Sequence, residues 1–153
     1  MGEHLLRRVA AAFPLAAKTI PGLRMIAVTG PRIDPASVPV PEGVELRSYV
    51  PDLYRHLAAC DLAVVQGGLT TTMELAAARR PFIYVPLARH FEQQILVAHR
   101  LEQYRAGRRL DYTALDPEYL AEAIAAEIDR PDDYRPVETD GAVRAAALLA
   151  ELL

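Results

Sequence analysis

One cysteine, no excess of either charge, no long apolar run and no internal repeat leave several functions without a basis in this chain. Cys60 has no second cysteine to pair with, which rules out an internal disulfide, and it has no Cys or His partners at ligand spacing to build a structural zinc site. Its neighbours Leu57, Ala58, Ala59 and Leu62 mark it as a small buried hydrophobe rather than a nucleophile. The 17 basic and 20 acidic residues are scattered and sum to a net charge of -3, so no electrostatic footprint for nucleic acid or anionic lipid stands out. No apolar run approaches the roughly 20 residues that span a bilayer, and the N-terminus lacks the charged, apolar, small-residue layout of a signal peptide. A cytoplasmic chain is the expectation.

What is present is a globular composition. With 153 residues, 52% of them hydrophobic and 24% charged, the chain fits one domain able to bury a core of its own. Apolar residues recur at helical spacing from Leu5 to Phe13, with Arg7 and Arg8 on the other side and Pro14 as the expected stop. Arg24 to Thr29 reads as a buried strand closed by Gly30 and Pro31, followed by a long loop carrying Pro35, Pro39 and Pro41. Val44 to Val50 reads as a strand ending at Pro51, with Asp52 set to cap a helix from Leu53 to Ala59. Asp61 to Val65 is a third short strand, broken by Gln66, Gly67 and Gly68 ahead of a helix from Thr71 to Arg79. Phe82 to Val85 is a fourth, between Pro81 and Pro86, and a helix from about Phe91 to Tyr104 ends near Gly107 as its C-terminal cap. Glu118 to Asp129 and Gly141 to Leu153 are alanine-rich and helical in period.

Short apolar strands alternating with helices predict a parallel sheet covered on both faces, a Rossmann-like α/β fold formed by residues 1–153 as a single domain. Such units open with a strand whose following loop carries glycines, whereas this chain opens with a helix. A leading strand is therefore expected to be missing, with Met1 and Gly2 in or just after its loop.

The stretch Leu62-Ala-Val-Val-Gln-Gly-Gly-Leu-Thr-Thr-Thr-Met-Glu-Leu75 carries the chemistry. A buried strand delivers Gly67 and Gly68 to its carboxyl end, where missing side chains let backbone amides approach a ligand, and a helix starts at once. Unpaired N–H groups and the positive dipole end suit a diphosphate there, and Thr70, Thr71 and Thr72 add hydroxyls. The structural alternative is that Thr71 and Glu74 form a capping box and that Gly67-Gly68 is only a tight turn. A second loop, Val85-Pro-Leu-Ala-Arg-His-Phe-Glu-Gln-Gln94, enters its own helix with polar groups at the start, so the two loops would flank one crevice.

Gly67-Gly68-Leu-Thr-Thr71-Thr-Met-Glu74-Leu75, then Arg80-Pro81-Phe-Ile-Tyr-Val-Pro86-Leu87, then Glu92-Gln93-Gln94 with Ala98, resembles the C-terminal, donor-binding domain of GT-B glycosyltransferases of family 28. That group includes the peptidoglycan glycosyltransferase MurG, the monogalactosyldiacylglycerol synthases and the donor-binding subunit of the dolichol-linked N-acetylglucosaminyltransferase. Tyr49-Val50-Pro51-Asp52-Leu53 ahead of Ala59-Cys60-Asp61 is similar to a further landmark of the family. The resemblance implies that backbone groups of Val50 read a uracil edge and that Gly67, Gly68, Leu69 and Thr70 bring amides to the diphosphate, with a hydroxyl from Thr71. It implies that Glu74 accepts both ribose hydroxyls, and that Gln93, with Gln94, binds hydroxyls of the sugar. His90 stands between a pyrophosphate contact and a solvated loop residue; Arg32 stands between a base contact and an ordinary surface arginine. The family often has Asn where this chain has Val97, so that position reads either as altered sugar choice or as packing.

By the same resemblance the domain belongs to a UDP-sugar-dependent hexosyltransferase that needs no metal, and no Asp-x-Asp pair is present to bind one. The catalytic base and the acceptor pocket are expected on an absent N-terminal acceptor domain or a separate subunit, which would also make any membrane contact. The isolated chain is then expected to be inactive. A non-catalytic nucleotide-sugar-binding module, a UDP-sugar epimerase-like domain and a plain flavodoxin-like interaction domain are the alternatives.

Overall fold

The computed structural model describes residues 2–131 and 133–152. Helix α1 spans Gly2–Ala16, running through the exposed Pro14 in its last turn instead of stopping there. Strands β1 (Met25–Val28) and β2 (Val44–Arg47) pair in parallel, Met25 opposite Val44. Helix α2 (Leu53–Ala59) then leads to β3 (Ala63–Val65), α3 (Leu69–Ala77) and β4 (Phe82–Tyr84). A π-helical turn at Glu92–Val97 continues into α4 (Ala98–Tyr104), followed by β5 (Arg108–Arg109), α5 (Pro117–Glu127) and α6 (Gly141–Ala150). The expected parallel α/β architecture is what forms, with short crossover helices joining parallel strands.

β3, β4 and β5 make one parallel sheet and β1 with β2 a second. β4 is the central strand and is buried on both faces, its side chains alternating between two cores. Ile83 and Val85 pack with α1 and α5 through Leu5, Ala12, Ala16, Leu120 and Ile124. Phe82 and Tyr84 pack with α3, the π-helical turn and α4 through Leu75, Ala76, Val97 and Leu101. On the first side Arg108 of β5 reaches the buried Glu127 of α5 at 3.4 Å, where Arg130 joins at 3.2 Å.

Other parts of the sequence reading change as well. β5 is only two residues long, too short to leave a periodic signal, and was not foreseen. Helix α4 is capped by Arg105 in the left-handed region, not by Gly107. Gly107 has φ +71, and a Cβ there would lie 2.3 Å from Phe82 Cε2, so glycine is needed for contact with the core. The predicted C-terminal helix ends at Ala150 among the described residues, with Leu153 outside them. α6 is exposed along its whole length, with Val143, Leu148 and Leu149 between 64% and 72% accessible.

Candidate functional site

The carboxyl end of β3 is followed by Gln66, Gly67 and Gly68. Gly67 sits at φ +85, yet a Cβ there would meet Pro86 and Tyr84 only at ordinary contact, 3.6 Å. Its backbone angle, not crowding, selects glycine. Gly68 is different. It has φ -69 and ψ 140, open to any residue, and a Cβ would meet nothing within 4 Å.

Gly68 is the N-cap of α3, and no side-chain cap is made among the described residues. The helix starts two residues before the expected point, which puts Thr71 inside its first turn. The capping box of Thr71 with Glu74 is therefore not formed, and among the described residues no side-chain acceptor meets the amides of Leu69, Thr70 and Thr71. Thr72 contributes no free hydroxyl, because it donates to Gly68 O at 2.9 Å and Leu69 O at 3.1 Å. Thr70, Thr71 and Glu74 share one helix face by their spacing of three and four. Glu74 is half-buried and, among the described residues, its carboxylate has neither a hydrogen bond nor an ion pair.

Val50 lies on the loop between β2 and α2, 4% exposed beside a 71% exposed Tyr49. Neither of its backbone groups is hydrogen-bonded among the described residues. Asp52 occupies the N-cap of α2 at φ 48 but makes no side-chain cap; its carboxylate lies 3.7 Å from Arg55 Nε. α2 packs on α3, the helix that follows the glycine pair.

The second loop closes on the first through Pro86, the neighbour of Gly67. His90 is half-buried, and its Nδ1 accepts from the Gln93 backbone N–H at 3.4 Å at the start of the helix that follows. Gln93 Oε1 accepts from Leu87 N–H at 3.0 Å. Gln94 Nε2 donates to Pro86 O at 3.2 Å and Leu87 O at 2.9 Å, and its Oε1 accepts from Arg109. Sequence reasoning missed Arg109, which sits on the unforeseen β5. Val97 is 1% exposed within the core beside Leu101, a packing position. Arg32, His56 and His99 are exposed. Cys60 is half-buried, its thiol donating to Leu57 O at 3.2 Å, and burial holds its pKa above the ordinary thiol value. Among the described residues no three His, Cys, Asp or Glu are grouped to hold a metal ion. No helix among them is long and apolar enough to cross a membrane.

Residues 3–153 match the glycosyltransferase family 28 C-terminal domain. The chain belongs to that family. A glycosyltransferase of uncharacterized activity from Methanosarcina mazei is 32% identical over 78% of the chain and 31% of its own length. The UDP-N-acetylglucosamine–N-acetylmuramyl-(pentapeptide) pyrophosphoryl-undecaprenol N-acetylglucosamine transferase of Methylibium petroleiphilum is 32% identical over 76% of the chain and 32% of its length. Among solved structures, the spinosyn rhamnosyltransferase SpnG complexed with thymidine diphosphate superposes with a TM-score of 0.64 at 26% identity, covering 97% of this chain and 36% of that one. The calicheamicin glycosyltransferase CalG4 superposes at 0.65 with 24% identity over 93% of this chain and 33% of its own, a likeness of fold. The family 28 domain thus spans about a third of the length of the curated relatives it matches.

Proposed function

We propose that this family 28 domain holds the donor of a glycosyltransferase, a UDP-sugar, whose hexosyl or N-acetylhexosaminyl group passes to an acceptor hydroxyl supplied by an acceptor domain or subunit. The observation that carries the reading is that, among the described residues, the start of α3 has no side-chain cap and the Glu74 carboxylate on the same helix has no partner. The six steps from Gly68 to Glu74, at about 1.5 Å of rise each, span about 9 Å, the scale of a diphosphate and its ribose. The amides of Leu69, Thr70 and Thr71, approached across the open side of Gly68, hold the diphosphate, with Thr71 adding a hydroxyl. Glu74 accepts the ribose hydroxyls, the backbone of Val50 faces the uracil edge, and Gln93 meets the sugar. UDP is favoured by the UDP-N-acetylglucosamine donor named for the Methylibium relative.

In the transfer the acceptor oxygen attacks the anomeric carbon, the bond from that carbon to the diphosphate breaks, and UDP departs with the electron pair. The acceptor proton goes to a base on the acceptor domain. The helix start stabilises the charge that develops on the diphosphate, which is the largest contribution this domain makes. The apolar side chains exposed on α6 support a joined acceptor domain that would cover them. Unpaired edges of β1 and β3 support the additional leading strand. A cytoplasmic setting suits the free thiol of Cys60.

Calorimetric titration with UDP, ADP, GDP and dTDP, repeated on Glu74→Ala, tests the reading. UDP should bind selectively and weaken on loss of Glu74. A dTDP-sugar is the second reading, favoured by the thymidine diphosphate bound to SpnG. Because dTDP lacks the 2′-hydroxyl, Glu74→Ala should weaken UDP more than dTDP. Absence of binding to every nucleotide, in this chain and in one extended N-terminally, would refute the proposal.

A further inference from the structure

β5 is the outermost strand of its sheet, and among the described residues no strand pairs with its far edge. Between that edge and α4 runs a groove of about 690 Å³, within the range of small-molecule sites. Tyr84, Ala98, Leu101 and Ala106 floor it, and all but Ala98 are buried. The groove descends along α4 to Gly107, ahead of the amino end of β5, whereas the Gly67-Gly68 loop follows the carboxyl end of the parallel β3. Its lower end therefore lies at the opposite end of the sheet from the glycine pair.

Tyr84 is 6% exposed, and its hydroxyl makes no hydrogen bond among the described residues. A phenol so buried usually finds a partner. Its oxygen is not sealed in the core, because among the described residues only Arg80 Nε is both fully buried and unpartnered; the opening available to Tyr84 is this groove. Arg109 faces Tyr84 across the β4–β5 pair, and cross-strand partners project to the same face. Burial pushes the phenol pKa up, Arg109 pulls against that rise and Glu102 adds to it, so the hydroxyl keeps its proton at neutral pH and can donate. A proton donor beside a guanidinium, above an apolar floor, suits an anion with an apolar body. Glu102 lines the same groove, has no ion pair among the described residues, and opposes a second negative charge.

We propose that the groove between α4 and β5 is a second ligand site, one that takes a small amphipathic monocarboxylate. The carboxylate accepts from Tyr84 Oη and from the Arg109 guanidinium, and the chain lies over Ala98, Leu101 and Ala106 toward Gly107. The seven steps of α4 and its cap from Ala98 to Arg105, at about 1.5 Å of rise each, give that wall about 10 Å, room for a chain of medium length. A phosphate ester brings a second charge toward Glu102 and is disfavoured. A neutral alcohol leaves Arg109 unused. The site stands apart from the nucleotide-sugar reading and does not rest on it.

The test is titration of the isotope-labelled chain with octanoate, followed by amide NMR, with octanol and octyl phosphate as controls. Octanoate at millimolar concentration should give saturable shifts at Tyr84, Ala98, Leu101, Ala106 and Arg109. Octanol and octyl phosphate should each bind about tenfold more weakly or less. Tyr84→Phe, which removes one oxygen and leaves the ring in the core, should weaken octanoate about three- to tenfold, and Arg109→Ala about tenfold or more. Glu102→Gln, at an exposed position, should bring octyl phosphate closer to octanoate. Saturating UDP should leave octanoate affinity unchanged. The proposal is overturned if the groove amides show no saturable shift, or if octanol binds as tightly as octanoate. It is overturned equally if Tyr84→Phe keeps wild-type affinity, or if UDP displaces octanoate, which would put the probe in the donor site.

Discussion

Gly68→Ala separates folding from ligand binding at the centre of the proposed site. The native angles, φ -69 and ψ 140, are open to alanine, and the added methyl meets nothing within 4 Å. Fewer conformations in the unfolded chain should stabilise the variant by about 0.4–1 kcal/mol. Alanine is a poorer N-cap than glycine, which takes back about 0.5 kcal/mol. The two nearly cancel, and at roughly 2–4 °C per kcal/mol for a domain of this size the melting temperature should stay within about 2 °C. Binding should behave otherwise. The methyl occupies the open side through which a diphosphate reaches the amides of Leu69 and Thr70, and losing one hydrogen bond to a charged group costs about 1.5–3 kcal/mol, or about 10- to 150-fold in affinity. Thermal denaturation by circular dichroism and calorimetric titration with UDP, on the same preparation, read both quantities. Wild-type UDP affinity in Gly68→Ala would refute the idea that the diphosphate approaches there. A fall in melting temperature of many degrees would show that Gly68 serves the fold instead. Gly67→Ala is the contrast: at φ +85 it should cost about 1–2 kcal/mol of stability whatever it does to binding.

Glu74→Ala should lower UDP affinity about tenfold or more with an unchanged denaturation curve, since the carboxylate has no partner among the described residues to lose. Gly107→Ala should destabilise by about 3 kcal/mol, because its Cβ would lie 2.3 Å from Phe82 Cε2; a lowering of the melting temperature by roughly 6–12 °C checks this. Glu127→Ala should cost about 1–3 kcal/mol in urea unfolding, since it removes a buried carboxylate that pairs with Arg108 and Arg130. Cys60 has a pKa raised by burial, so the folded state favours the neutral thiol. That contribution is complete below the ordinary thiol pKa of about 8.5 and is lost as pH rises through the higher folded value. Alkylation by iodoacetamide at pH 8 should accordingly be much slower in the folded chain than in urea.

The strands and helices were legible wherever the burial pattern is local. β4 between two prolines, and α2 with its apolar stripe, appear where periodicity sets them. What escaped depends on contacts distant in sequence. β5 has two residues and exists because Ile83 and Tyr84 offer an edge to Arg108 and Arg109, a fact no window around residue 108 contains. Gly107 looked like a helix cap because glycine after a helix usually is one; its actual constraint is the ring of Phe82, 25 positions earlier. The π-helical turn gives no periodic signal over six residues and is tied to the side-chain bonds that Gln93, Gln94 and His90 make around it.

The candidate site divides along the same line. Gly67, Gly68 and Glu74 could be read in advance because one strand, one loop and one helix carry them, and the chain order itself sets their spacing. The ambiguity that remained, whether Thr71 and Glu74 were merely a capping box, turned on where the helix begins, and a start at Leu69 moves Thr71 off the cap and leaves Glu74 without a structural partner. Gln93 and Gln94 could be read in advance as well, but the groups they meet could not, and one of those groups, the Arg109 guanidinium, comes from another strand. A motif therefore names the residues of such a site more reliably than it names their partners, because partners follow from which lone pairs and protons the rest of the fold brings within reach.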